Sequence, residues 1–258
     1  MGSERLKNLL WPVGFGIAFL AVWQIGGFHA LLGLKRFQLP VPSEIVTTLA
    51  ASLPKALRDC GVTVTGAVVG MVIGSTLGFL VAAVATVLPR WGYGGLVVVS
   101  AINAIPIVAL SPIMNRWFSD GMVQKTAVVT VVTMAAMAIN AYRGLNDLRP
   151  FSLDLMRSYA ALPRTVFLRL RLPNCLPGVF TALKINITSS MIASIVSEYF
   201  ASSTSGLGFG IKDNLRKAEM ATGWAYIVVA SVAGIALYLL ILLVEKRALR
   251  WHASQRIA

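Results

Sequence analysis

The sequence predicts an all-α polytopic membrane protein with about six transmembrane helices. Of its 258 residues, 57% are hydrophobic and only 13% are charged, whereas soluble domains are roughly 45–50% apolar and about 25% charged. The mean hydropathy is +0.75, and several apolar stretches reach the roughly 20 residues that a helix needs to cross a bilayer. We therefore expect lipid to be the main solvent of this chain.

The apolar stretches and the breaks between them predict the order of the spans. Pro12 falls in the first turn of the first span, where its missing amide donor costs little. Residues 29–60 are predicted to form an external loop with a short helix that Ser43 could cap, and Ser119 and Asp120 a turn before the fourth span. The predicted spans are residues 9–28, 62–88, 95–113, 122–142, 174–200 and 223–244.

A row of glycines in the second span predicts close helix packing. Gly66, Gly70, Gly74 and Gly78 recur at four-residue spacing, which lays a groove of small residues along one helix face. Such a groove lets a neighbouring backbone approach closely. Packing within the subunit is favoured over dimerisation on this motif.

The third span contains a predicted break. Pro106 near its middle frees a backbone carbonyl, which neighbouring helices or cavity water must satisfy. Asn103, three residues earlier, is a candidate residue of a translocation path or gate. An interhelical hydrogen bond explains Asn103 equally well.

The fifth span carries a polar stripe and two charged residues. Small polar side chains recur there at three- and four-residue spacing, on one helix face, and an acidic residue lies one step beyond. The stripe either lines a translocation path or bonds to neighbouring helices. Lys184 is interpreted as snorkelling to the cytoplasmic interface. The stripe and its acidic neighbour are Asn186, Ser190, Ser194, Ser197 and Glu198.

The connector between spans four and five is the most basic segment of the chain. Residues 151–167 are predicted to form a helix at the cytoplasmic surface, interrupted at Pro163. From Asp154 to Pro173 the sequence DLMRSYAALPRTVFLRLRLP resembles the EAA loop of binding-protein-dependent ABC importers, E-A-A-x3-G-x9-I-x-L-P. Ala160 stands at the glycine position of that pattern. The resemblance assigns ATPase coupling to Asp154, Leu155, Met156, Arg157, Ser158, Tyr159, Ala160, Ala161, Leu162 and Pro163.

The resemblance extends over most of the chain. Residues 39–43 resemble the L-P-x-P-S segment of these permeases, and Glu198 followed by residues 206–208 resembles their A-E-x-x-G…S-G-L-G segment. Residues 156–160 are similar to the A-R-S-L-G run of nitrate-, sulfonate- and taurine-type permeases. That group also has relatives for thiamine-precursor pyrimidines and riboflavin-like heterocycles.

Membership of this family would imply the type I ABC importer fold, with one permease domain over residues 1–258 and the EAA coupling segment at residues 151–173. It implies three partners: a cytoplasmic ABC ATPase dimer, a second permease subunit (a homodimer is expected) and an extracytoplasmic substrate-binding protein. ATP and Mg²⁺ would bind to the ATPase, since this chain has no G-x4-G-K-[ST] phosphate loop. The expected substrate is a small polar organic or anionic solute, either a sulfonate, taurine or nitrate or a pyrimidine- or riboflavin-like heterocycle.

Location and competing functions follow from charge and residue types. Lys and Arg are in modest excess in the loops on the side of the amino terminus, which agrees with both termini being cytoplasmic. The family resemblance implies an inner-membrane protein in contact with lipid. The net charge of +13 lies beside apolar segments, so nucleic-acid binding is not expected. His29 and His252 are the only histidines, which disfavours an intramembrane enzyme or a metal site. The alternative is an ion-coupled secondary transporter without an ATPase, although Glu198 is then a lone carboxylate near an interface.

Overall fold

The computed structural model describes residues 2–118, 121–201 and 203–250. Within these residues the chain is built of helices and has no strand, so the all-α prediction is confirmed. Ser119, Asp120 and His252, discussed above, lie outside the described residues. The α-helices are α1 (Gly2–Gln24), α2 (Gly27–Leu32), α3 (Pro42–Val87), α4 (Pro89–Ile102), α5 (Ile107–Trp117), α6 (Gly121–Asn146), α7 (Ser152–Ser158), α8 (Pro163–Val166), α9 (Leu172–Phe200), α10 (Leu207–Arg216) and α11 (Met220–Ala248).

Four continuous helical stretches of the described residues are long and apolar enough to cross a membrane, and α4 with α5 gives a fifth as a bent pair. The continuous stretches contain α3, α6, α9 and α11. The first predicted span corresponds to a shorter apolar helix, Leu10–Gln24. It ends before residue 28 because Gly26, with φ 85°, turns the chain into α2.

The predicted external loop at residues 29–60 is wrong over its second half, because α3 runs unbroken through 46 residues. At about 1.5 Å per residue, α3 is roughly 69 Å long, more than twice the hydrocarbon thickness. Its first residue is Pro42, and the Glu44 carboxylate accepts a hydrogen bond from the Val41 amide at 3.2 Å. Ser43 does not cap the helix; its hydroxyl accepts a hydrogen bond from Gln24 Nε2 at 2.9 Å. Pro54 stays inside the helix on an exposed face.

The third predicted span is two helices rather than one. Residues 103–106 separate α4 from α5, and the axes of these helices differ by 99°. Pro106 is the residue that precedes α5, where its fixed φ of −61° is compatible with an extended conformation. The predicted break is thus present, but it produces a sharp bend instead of a kinked single span.

The core of the bundle is formed by α3, α6 and α9, and the glycine row packs inside this single subunit. A Cβ atom at Gly66 would meet Lys125, and one at Gly70 would meet Val129 and the Thr126 carbonyl. Further along α3, Gly74 and Gly78 lie against the backbone of α6 in the same way. The prediction of packing within the subunit is confirmed, and α3 and α6 run parallel.

The two ends of the bundle are distinguished by the helix termini that meet there. Because α9 runs antiparallel to α3 and α6, its first residues meet the ends of those helices, where α7 also lies. We call this the coupling end. Glu198, near the last residue of α9, lies at the opposite end beside α10 and the first turns of α11. We call this the far end.

Candidate functional site

The polar stripe of α9 faces its neighbouring helices, not an open surface. All four of its side chains and Glu198 are fully buried. Asn186 Nδ2 donates to Ser75 Oγ at 3.0 Å and to the Thr133 carbonyl at 2.9 Å. Ser194 Oγ donates to the Thr63 carbonyl at 3.0 Å. The sequence left two alternatives for the stripe, interhelical hydrogen bonds or the lining of a translocation path. The interhelical bonds are present, and the lining of a path stays a prediction.

The other two serines of the stripe differ in their partners, because Ser190 bonds within α9 and Ser197 bonds to neighbouring helices. Ser190 Oγ donates to the Ile187 carbonyl at 2.8 Å. Ser197 Oγ accepts a hydrogen bond from Gln124 Nε2 of α6 at 2.8 Å, and the Ser197 carbonyl accepts one from Ser111 Oγ of α5 at 3.2 Å. The stripe thus joins α9 to three other helices.

Glu198 is the centre of a buried charged cluster at the far end. Its Oε1 lies 2.6 Å from Lys125 Nζ, and the two side chains are 0% and 2% exposed. Thr63 Oγ1 donates to the same carboxylate at 2.8 Å, and the Gly208 amide donates to Oε2 at 3.0 Å. A buried carboxylate is tolerated only when it is paired and hydrogen-bonded, and Glu198 meets both conditions.

A second buried carboxylate, Asp59 of α3, extends the cluster. It accepts hydrogen bonds from the Gly206 amide at 3.0 Å and from the Tyr226 hydroxyl at 2.9 Å. The Leu207 amide donates to Thr63 Oγ1 at 2.8 Å. Three successive amides at the start of α10 are thereby satisfied by side chains, which is how a helix amino terminus is held in a buried setting. We name this group the far-end cluster: Asp59, Thr63, Lys125, Glu198, Gly206, Leu207, Gly208 and Tyr226.

The residues from 206 to 210 are glycine-rich because the far-end cluster leaves no room for side chains. Gly206 has φ 105°, and a Cβ atom there would collide with the Glu198 carboxylate. At Gly208 it would collide with the Ile195 carbonyl, and at Gly210 with the Tyr226 ring. The S-G-L-G segment seen in the sequence is thus explained by close approach of α10 to α9 and α11.

Sequence reasoning missed the partners of the charged residues. No spacing pattern singles out Lys125, although its position in the second turn of an apolar helix is a signal of burial. Lys184 does not snorkel alone; its Nζ lies 2.8 Å from Glu245 of α11. Neither pairing can be derived from spacing, because each joins residues more than sixty positions apart.

The coupling segment lies at the opposite end and is exposed. Asp154 and Arg157 are 69% and 77% exposed and 3.4 Å apart. Leu155, Tyr159 and Leu162 are also largely exposed. The helix α7, which carries Asp154, Leu155 and Arg157, has no buried residue, so its side chains are available to another molecule.

Ala160 adopts the backbone conformation that suits the glycine of the EAA pattern. Its φ is 51°, a left-handed conformation that costs L-residues roughly 1–2 kcal/mol. The Ala161 amide donates to the Met156 carbonyl at 3.0 Å, and the Ala160 amide to the Arg157 carbonyl at 2.9 Å. These two bonds form a Schellman motif, which ends α7 before Leu162 and Pro163.

Behind α7, the chain is fastened to the bundle by polar side chains. The π-helical turn Phe167–Arg171 leads into α9. Arg171 NH1 donates to the Leu145 carbonyl at 2.9 Å and to Asn146 Oδ1 at 2.7 Å. Asn174 Nδ2 donates to the Gly144 carbonyl at 2.9 Å, and Asn146 Nδ2 donates to Thr86 Oγ1 of α3 at 3.0 Å. The last turn of α6 is therefore joined directly to the coupling segment, and Asn146 links it onward to the last turns of α3.

The bend at residues 103–106 is exposed along its whole length. The Asn103 side chain makes no hydrogen bond to any residue that the structure describes, so the alternative of an interhelical bond finds no partner among those residues. In the described residues, the carbonyls of Asn103, Ala104 and Ile105 accept no hydrogen bond either. Asn103 and Pro106 thus lie at an exposed bend, beside backbone carbonyls that accept no hydrogen bond from a described residue.

A family comparison decides the class of the protein. Residues 70–250 match the model of the family described as "Binding-protein-dependent transport system inner membrane component". The chain belongs to this family. It is a transport permease subunit of an ABC importer in the inner membrane and not an enzyme, which confirms the resemblance and decides against a secondary transporter.

Relatives and solved structures agree with this permease assignment. The chain is 26% identical to the formylaminopyrimidine transport permease ThiX of Halalkalibacterium halodurans over 98% of this chain and 100% of that protein. It is 25% identical to the nitrate import permease NrtB of Synechococcus elongatus over 82% and 78% of the two chains. Its fold is similar to a chain of an amino acid ABC transporter with histidines (TM-score 0.63, 15% identity, covering 78% of the permease and 97% of that chain). These comparisons confirm the ABC importer transmembrane fold.

Proposed function

We propose that this permease transports its substrate by coupling to a separate cytoplasmic ATPase dimer through residues 151–173. A second copy of the chain completes the pore, and an extracytoplasmic binding protein delivers the substrate. The observation that carries this proposal is the combination of an exposed α7 with a rigid connection behind it. A segment that only rested on the protein surface would need neither feature.

The connection supports transmission of force from the coupling segment to the spans. Arg171 and Asn174 bond to carbonyls at the end of α6, and Asn146 bonds onward to α3. Displacement of α7 by an ATPase would therefore move α3, α6 and α9 together. Because these three helices share the glycine row and the polar stripe, they are expected to move as one body.

The bend between α4 and α5 supports a path along a subunit interface. Non-helical backbone at membrane depth is tolerated only where protein covers it or where it lines a water-filled cavity. The three free carbonyls at residues 103–105 are exposed in the single subunit. A second copy and a hydrated path between the copies would satisfy them, with Asn103 and Pro106 at the gate.

The same geometry supports an orientation. The coupling segment and the last turn of α11, with Lys246 and Arg247, lie at the same end of the bundle. If the ATPase is cytoplasmic, the carboxyl terminus is cytoplasmic as well. This agrees with the excess of basic residues on that side.

The proposal for the substrate class rests on the relatives alone. A relative that matches along its full length is named for formylaminopyrimidine and another for nitrate. We therefore propose a small polar organic or anionic solute: a pyrimidine- or riboflavin-like heterocycle, or a nitrate, sulfonate or taurine. Uptake of radiolabelled members of both groups by the reconstituted transporter tests this choice.

Charge reversal and a bulky substitution in α7 test the coupling proposal. Arg157→Glu changes an exposed contact, and Ala160→Leu adds bulk beside the Schellman turn. Both are expected to lower co-purification with the ATPase and substrate-stimulated ATP hydrolysis by about tenfold or more, with membrane insertion intact. Arg247→Glu is the control, because Arg247 is exposed at the same end but lies outside the segment. Coupling at the level of the unmodified protein in both α7 variants would contradict the proposal.

Cysteine labelling tests the path. In a background without Cys60 and Cys175, Asn103→Cys should react with a water-soluble thiol reagent during turnover, whereas Ser190→Cys in the buried stripe should react slowly. If the cysteine at position 190 reacted as fast as the one at position 103, the stripe would line the path as well.

A further inference from the structure

A groove between α4 and α6 at the coupling end has the shape and chemistry of a ligand site. Its volume is about 420 Å³, within the range of roughly 300–1,000 Å³ that is usual for small-molecule pockets. It opens between the first turns of α4 and the last turns of α6. Its main lining residues are Tyr93, Leu96, Val97, Ile139, Tyr142 and Arg143.

The groove is polar at its mouth and apolar further in. Tyr93 lies one turn into α4 and Arg143 lies in the last turn of α6, so their polar groups share the membrane interface. Leu96, Val97 and Ile139 come one turn deeper on the same helices. Ser100, the deepest polar residue, donates its hydroxyl hydrogen to the Leu96 carbonyl at 2.8 Å, which leaves the inner wall apolar.

The Arg143 guanidinium has no partner within the described part of the chain. It is exposed and forms neither a hydrogen bond nor an ion pair there, even with Asp147 one turn further along the sequence. Arg171, at the same end, is by contrast bonded to two oxygens of α6. The hydroxyls of Tyr93 and Tyr142 also make no hydrogen bond to a described residue.

We propose that this groove binds one anionic phospholipid, with its phosphate on Arg143 and an acyl chain against Leu96, Val97 and Ile139. A guanidinium recognises phosphate through two parallel hydrogen bonds, and the two tyrosine hydroxyls can add donors. Basic pockets between transmembrane helices bind acidic head groups in this way. A free phosphate ion would leave the apolar wall without a function, so the amphipathic shape favours a lipid.

Native mass spectrometry of the full-length permease in detergent tests the proposal. The delipidated protein is titrated with phosphatidylglycerol, and phosphatidylcholine serves as the lipid without net charge. The unmodified protein should retain one phosphatidylglycerol in preference to phosphatidylcholine. Arg143→Gln should weaken this retention about tenfold, the size expected when charge-assisted hydrogen bonds are lost.

Two further variants separate the groove from general charge effects. Arg149→Gln removes the same charge from an exposed site at the same end, outside the groove, and should leave retention unchanged. Val97→Trp fills the groove at a position that is 53% exposed, so folding should tolerate it, and it should reduce retention about as much as Arg143→Gln. Thermal unfolding without lipid checks that all three variants are folded.

The proposal is overturned if Arg143→Gln retains phosphatidylglycerol like the unmodified protein, or if Arg149→Gln loses it to the same extent. Retention by Val97→Trp would also overturn it, since the lipid would then lie outside the groove. Glycerol 3-phosphate is the test for a free phosphate ligand. Displacement of the lipid by an equimolar amount of glycerol 3-phosphate would show that the acyl chain contributes nothing to binding and would overturn the lipid proposal. Absence of displacement supports a lipid site.

Discussion

The charged pairs Lys125–Glu198 at the far end and Asp154–Arg157 at the coupling end differ in their burial. At the far end, Glu198 and Lys125 are fully enclosed, and each oxygen of the carboxylate has a donor. At the coupling end, Asp154 and Arg157 form a long, exposed pair on a short helix. Enclosed charges fix the arrangement of the helices that supply them, whereas exposed charges remain available to a partner. The buried pair therefore ties helices together at the far end, whereas the charges of α7 at the coupling end face solvent.

Two residues with left-handed backbone conformations, one at each end, show a related difference. Gly206 and Ala160 both have positive φ values, 105° and 51°. At the far end a side chain would collide with Glu198, so glycine is required there. At the coupling end no such contact surrounds Ala160, and alanine is tolerated at the cost of local strain.

The largest effect is expected when the buried pair is broken. Lys125→Met leaves Glu198 enclosed without its cation, and removal of one partner of a buried pair typically costs about 3–5 kcal/mol in free energy of unfolding. Denaturant titration of the purified permease in mixed micelles measures this loss. The double variant Lys125→Met, Glu198→Gln should recover much of it, because no unpaired buried charge remains.

The exposed pair Asp213–Lys217 on α10 provides the control for this experiment. It has a similar separation, 2.7 Å, but Lys217 is 56% exposed and Asp213 is 26% exposed, so solvent screens the pair and Lys217→Met should change the unfolding midpoint little. Equal destabilisation by Lys125→Met and Lys217→Met would remove the distinction between enclosed and exposed charge.

A smaller effect is expected in the glycine row that joins the two ends. A Cβ atom at Gly74 would press on the Thr130 backbone and on Thr133 of α6, and overpacking of this kind costs about 1–3 kcal/mol. Gly61, on the same helix, has nothing within 4 Å of its Cβ position. Gly61→Ala should therefore be neutral or slightly stabilising, while Gly74→Ala lowers the free energy of unfolding. The opposite order would refute packing against α6 as the reason for the row.

Some features of the fold and of the far-end cluster could be predicted from the sequence and others could not, for physical reasons. The glycine row and the Pro106 break depend on local spacing, and both are present. The continuation of α3 through Pro54 was missed because an interior proline is usually disfavoured in a helix, whereas α3 accommodates it within 46 continuous helical residues. Partners such as Lys125 for Glu198 and Glu245 for Lys184 were missed because side-chain pairing across distant helices depends on packing, which spacing along one helix does not encode.

Loss of Arg171, which bonds the coupling segment to the end of α6, should cost less free energy than a substitution in the glycine row. Arg171→Leu keeps apolar bulk but removes two hydrogen bonds to the end of α6, a loss of about 1–2 kcal/mol. Hydrogen exchange in residues 143–147 should become about tenfold faster. Arg169→Leu is the matched control in the same π-helical turn, since Arg169 is exposed and has no partner among the described residues. Faster exchange in both variants would show that charge loss, not the anchor, matters.

The smallest effect concerns Ala160, and it has the opposite sign. Ala160→Gly removes the left-handed strain but increases the entropy of the unfolded chain, so a net gain of about 0.5–1 kcal/mol is expected for the local helix. The amides of Ala160 and Ala161, which close the Schellman motif, should exchange a few-fold more slowly in this variant. Ala161→Gly is the control, because Ala161 has no positive φ to relieve, and it should leave exchange unchanged or faster. If both glycine variants slowed exchange equally, the conformation of Ala160 would not be the source of the strain, and the contrast with Gly206 would be lost.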